Sequence, residues 1–126
     1  MQKIKVLLAS RPKMLSDVIR NMLERQPDME VIGEVLDPIE LLLTAKARPV
    51  DVVIVTPLDA EGEPSICRHL LGEQPRLKII TLQANGEIAF LHESNSRKKR
   101  IAEPSEASIL GAIRESVQTT RLAVQK

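Results

Sequence analysis

The chain has 126 residues, 43% hydrophobic and 28% charged, which fits one domain with a core and excludes a disordered polar chain or a membrane-embedded one. Eighteen basic against seventeen acidic residues leave a net charge of +1, so nucleic-acid or membrane-surface binding would need a local patch rather than an overall field. Phe90 is the one aromatic residue, which argues against base stacking and against an aromatic-lined pocket for sugars or large flat ligands.

In chain order, Ile4 to Ala9 is a short apolar run that reads as a buried strand. Met14, Leu15, Val18, Ile19, Met22 and Leu23 follow at helical spacing, and Gln26-Pro27-Asp28 ends that helix. Met29 to Ile32 is a second strand. Asp37-Pro38 then opens a helix carrying Ile39, Leu42 and Leu43, which Arg48-Pro49 closes. Val52 to Val55 is a third strand, Glu63-Pro64 starts a helix with Ile66, Leu70 and Leu71, and Leu77 to Leu82 is a fourth strand with Thr81 inside it.

Residues 84 to 104 break the pattern. Ala84-Asn85-Gly86 is turn-like, Ile88 to Leu91 is apolar, and His92 to Arg100 is polar and basic, so this stretch makes either a hairpin or a flexible loop. The last helix begins near Ser105, sets Ile109, Leu110, Ile113 and Val117 on one face, and runs on towards Leu122 and Val124 as a frayed end or an interaction surface. Strands alternating with helices imply parallel strands joined by crossover helices, under helices on both faces. The expectation is one doubly wound α/β domain over residues 1–126.

Cys67 is the single cysteine, which can form neither an internal disulfide nor a multi-cysteine metal site. With no secretory leader read before the first strand and no apolar stretch near the roughly 20 residues of a membrane span, the expected location is the cytoplasm. Cys67 and His69 lie two apart, so a helix would point them in different directions and no metal site follows.

Ile4-Lys5-Val6-Leu7-Leu8-Ala9, Leu23-Glu24 through Gln26-Pro27-Asp28-Met29-Glu30-Val31-Ile32-Gly33-Glu34, Asp51-Val52-Val53-Ile54-Val55 and Ile109-Leu110-Gly111-Ala112-Ile113-Arg114 together carry a resemblance over nearly the whole chain. The chain resembles the receiver domain of bacterial two-component response regulators, especially the branch that precedes a helix-turn-helix output. That resemblance implies a five-stranded parallel, flavodoxin-like sheet. It also implies phosphoryl transfer from a histidine kinase to an aspartate after the third strand, assisted by magnesium on two acidic residues after the first.

At those positions the chain departs from the family. Ser10 and Arg11 stand where the acidic pair belongs, Thr56 where the acceptor aspartate belongs, and Gln83 where a serine or threonine ends the fourth strand. Glu103, before Pro104, falls near the position of the family's lysine. A cation at Arg11 would repel magnesium, which prefers oxygen ligands, and a hydroxyl without an activating base does not replace the acceptor carboxylate. The resemblance therefore implies a pseudo-receiver: not an enzyme, without a cofactor or metal.

The expected function is phosphorylation-independent signal transduction by protein–protein contact, with a partner or with a second copy in a homodimer. The family's dimer face, from about residue 86 onward, would then supply Lys98, Lys99, Arg100, Ile113 and Val117. Three rivals stay open. Asp59, three residues past Thr56, could be a displaced acceptor, although it reads better as a turn carboxylate. The chain could be a small-ligand or anion sensor using the strand-end cleft with Ser10, Arg11, Lys13 and Thr56, although Arg11 and Lys13, at the opening of the first helix, could simply pair with a carboxylate or face water. The chain could also be the regulatory half of a transcription factor whose DNA-binding part lies elsewhere. The run Arg97-Lys98-Lys99-Arg100 reads as a solvated loop, and His92 is assigned no role.

Overall fold

A computed structural model describes residues 3–9, 13–35, 38–48, 50–56, 65–74, 76–82, 88–93, 99–101, 103 and 105–124. The first four strands and three helices follow the alternation in the sequence: β1 (Ile4–Ala9), α1 (Lys13–Glu24), β2 (Met29–Glu34), α2 (Pro38–Ala47), β3 (Val52–Val55), α3 (Ser65–Glu73) and β4 (Lys78–Leu82). Two further strands, β5 (Ala89–His92) and β6 (Lys99–Ile101), precede α4 (Glu106–Val124).

The strands form one six-stranded sheet in the order β2-β1-β3-β4-β5-β6. β2, β1, β3 and β4 are parallel, because a helix returns the chain to the same end after each of the first three. β5 runs antiparallel to β4, and β6 antiparallel to β5. The sheet is therefore mixed and six-stranded, not five-stranded and parallel as expected. The physical reason lies in residues 88–101. Apart from Ile101, their apolar residues are the one short block Ile88 to Leu91, without the repeating 3.6-residue spacing of a crossover helix, so the chain comes back from β4 as a strand.

Alternation along each strand splits the core in two. One cluster joins Val6, Leu8, Ile54, Ile80 and Leu91 to Ile19 and Leu23 of α1 and Ile109, Ile113 and Val117 of α4. The other joins Leu7, Val53, Val55 and Ile79 to Leu41 and Ala45 of α2 and Leu70 of α3. Among the described residues, four helices thus cover the sheet, two on each face. The outer side of α2 remains apolar: Ile39 is 69% and Leu43 63% exposed. On α1, Met14 and Val18 are likewise exposed, and the buried face runs through Ser16, Ile19, Met22 and Leu23.

Asp51 ties the sheet together at the amino ends of its strands. Its N–H donates to the Lys5 carbonyl at 2.9 Å, its carbonyl accepts from Lys78 N–H at 3.1 Å, and its Oδ2 accepts from Lys5 N–H at 2.9 Å. α4 opens on a reciprocal cap: Ser105 Oγ accepts from Ser108 N–H at 3.2 Å and Ser108 Oγ from Ser105 N–H at 2.8 Å. At 19 residues, or roughly 28 Å, α4 outruns β4, whose five residues span roughly 17 Å. The expected run towards Leu122 and Val124 is helical through Val124.

Candidate functional site

In open α/β sheets, ligands bind beyond the carboxyl ends of the strands, and there the sequence placed its candidate residues. Thr56 follows β3 directly, and its N–H donates to the Ala9 carbonyl of β1 at 3.3 Å. Its side chain is buried, and Oγ1 has no hydrogen-bond partner among the described residues. Ser16, in the first turns of α1, is a second buried hydroxyl without a partner among them. Both oxygens are shut off from solvent, so a ligand would have to open the packing to reach them.

Of the other residues of the expected pocket, Glu103 falls among the described residues. Ser10, Arg11 and Gln83 lie outside the described residues, as do Asp59, Arg97, Lys98 and the side chains of Lys13 and Cys67. Glu103 is exposed and takes a left-handed backbone, φ 45°, in the turn from β6 to α4. β4 and β5 stand between β3 and β6, which makes three strand spacings, or roughly 14 Å, between the rows that carry Thr56 and Glu103. A parallel sheet in which β6 followed β4 directly would shorten this by one spacing. Among the described residues, no group of three or more His, Cys, Asp or Glu side chains could hold a metal ion.

The expected interaction surface also divides. Lys99 and Arg100 are exposed on β6, which replaces the expected solvated loop at those two positions with a strand. Ile113 and Val117 are buried in the core beneath α4, so they are removed from the surface set. They face the sheet because α4 needs its apolar stripe to pack there.

Polar groups that the sequence reading passed over meet on β4 and β5. His92 is 3% exposed, and its Nε2 lies 3.1 Å from Thr81 Oγ1 in a hydrogen bond inside the sheet layer. Lys78 is buried too, and its Nζ donates to Glu93 Oε2 at 3.1 Å. Antiparallel pairing of Ile79 with His92 and Thr81 with Phe90 creates both contacts. The signal available in the sequence was the polar Thr81 within the apolar run and Lys78 at its start. His69 faces Glu73 at 3.4 Å on α3, and Glu73 also pairs with Lys46 of α2 at 3.3 Å.

No helix among the described residues is long and apolar enough to cross a membrane. A scan against protein-family models finds no match to this chain, and a search of curated proteins finds no significant relative.

Proposed function

We propose that the chain is a degenerate receiver that signals through protein contacts without aspartyl phosphorylation. The observation that carries this reading is Thr56. A buried hydroxyl, with no partner among the described residues, sits at the end of β3 where the resembled family carries its acceptor carboxylate. The order β2-β1-β3-β4 with helices on both faces supports a flavodoxin-like ancestry for the parallel part. In that view β5 takes the place of the family's fourth helix, and β6 with α4 corresponds to its fifth strand and fifth helix. The added strand supports loss of the chemistry, because it sets the Glu103 position one spacing further from Thr56.

Incubation with acetyl phosphate and magnesium, followed by intact mass, tests the proposal, with beryllofluoride and magnesium titrated in parallel by NMR. The expected result is no mass gain and no shift around Thr56. A stoichiometric phosphoryl adduct on any residue, Asp59 included, overturns it.

A further inference from the structure

The two edges of the sheet are finished differently. On β2 the register skips Ile32, with Val31 opposite Val6 and Gly33 opposite Leu7. The Ile32 carbonyl left over at this bulge accepts from Arg48 Nη1 at 2.6 Å. On β6 no side chain bonds to the strand among the described residues, and an edge strand directs alternate N–H and C=O groups outward.

The β6 edge, unpaired among the described residues, carries charge. Lys99 lies opposite Leu91 and Arg100 opposite Phe90, so the two cations flank the edge on opposite faces. Both are exposed, and neither meets a carboxylate among the described residues. They end the densest basic run of the sequence, Arg97-Lys98-Lys99-Arg100.

We infer that the β6 edge accepts an extended acidic segment of a partner protein as an added strand, with two adjacent carboxylates meeting Lys99 on one face and Arg100 on the other. Consecutive residues of a strand point to opposite faces, so adjacent acidic residues match this placement where alternating ones do not. Main-chain hydrogen bonds supply the affinity and the flanking cations the specificity. The same cations repel a second β6 edge, so the edge refuses a copy of itself while admitting acid. A polypeptide fits better than a nucleic acid, because an edge offers amide groups in register, the net charge is only +1, and Phe90 is the single aromatic residue.

The inference deepens the proposed function by naming the chemistry of the partner, and rests on it only in taking protein contact as the output. Its test titrates the full chain with a short labelled peptide holding a Glu-Glu pair between valines and threonines, read by fluorescence anisotropy and amide NMR. Binding should shift the amides of β5 and β6, and a Gln-Gln peptide should bind at least about tenfold more weakly. Lys99→Glu with Arg100→Glu, both exposed, should keep the melting temperature and transfer the preference to a Lys-Lys peptide.

Three results overturn the inference: no shift at millimolar peptide, equal binding of a peptide N-methylated along one edge, or an oligonucleotide that displaces the peptide at lower concentration. A phosphoryl adduct in the acetyl phosphate experiment would remove the phosphorylation-independent reading and leave the β6 result standing. Absence of both adduct and peptide binding would remove the edge inference alone.

Discussion

Arg114 of α4 and Asp28, which precedes β2, lie 86 residues apart in the chain, yet the guanidinium Nε and Nη2 donate to the two carboxylate oxygens at 2.8 and 3.0 Å. Nη2 also reaches Gln26 Oε1 at 2.7 Å. The clasp fixes the last helix against the turn between α1 and β2. The hydrogen bond from Arg114 holds the Asp28 carboxyl below its usual range, more than burial raises it, and the carboxylate in turn raises the Arg114 guanidinium.

The clasp makes stability depend on pH in a set direction. A carboxyl whose folded pKa is depressed contributes fully above its unfolded value, near 4, and loses that contribution as pH falls through the lower folded value. Both side chains are about a third exposed, so screening limits the coupling to about 0.5–1 kcal/mol. A double-mutant cycle with Asp28→Asn and Arg114→Met, measured by urea unfolding, should give that value at pH 7 and a progressively smaller one as the pH is lowered below about 4.

Lys78 and Glu93 test what burial does to an ion pair. Removing one partner strands a buried charge, whereas replacing both with apolar groups is often neutral. Glu93→Ala should destabilise by about 2 kcal/mol, less than for a fully buried pair because Glu93 keeps some exposure. Lys78→Met with Glu93→Leu should recover most of that loss in urea melts.

Thr56 predicts the opposite sign from most core substitutions. Thr56→Val keeps the shape and removes a buried hydroxyl without a partner among the described residues, so stability should stay level or rise by up to about 1 kcal/mol. A loss greater than about 1 kcal/mol would show that the hydroxyl is bonded.

α2 offers an internal control. Leu41→Ala, in the core, should cost about 2–5 kcal/mol, while Leu43→Ala, at 63% exposure, should change stability by no more than about 0.5 kcal/mol. Comparable losses for both would show that the outer face of α2 is covered in solution.

Much of the fold was legible because continuous apolar runs such as Ile4 to Ala9 and Val52 to Val55 can only be buried, and each was followed by a longer helical segment. The sides of α1 and α2 were less legible. Met14, Val18, Ile39 and Leu43 sit at helical spacing but face outward, because these helices are apolar beyond the stripe they bury and periodicity does not say which part meets the sheet. The hairpin was readable only as one of two options, since four residues, Ala89 to His92, do not distinguish an exposed loop from a strand that completes a sheet. His92 and Thr81 stand eleven residues apart, so their contact depended on the β4–β5 register, which no local pattern displays.

The reversal at β5 has an electrical consequence. One antiparallel strand between β4 and β6 turns the chain twice, so β6 again runs with β4 and α4 starts at the same rim of the sheet as α1, α2 and α3. Each helix presents about half a positive charge at its first turn and half a negative one at its last. The four helix dipoles therefore add along the strands, and their positive ends lie at the rim where Thr56 lies.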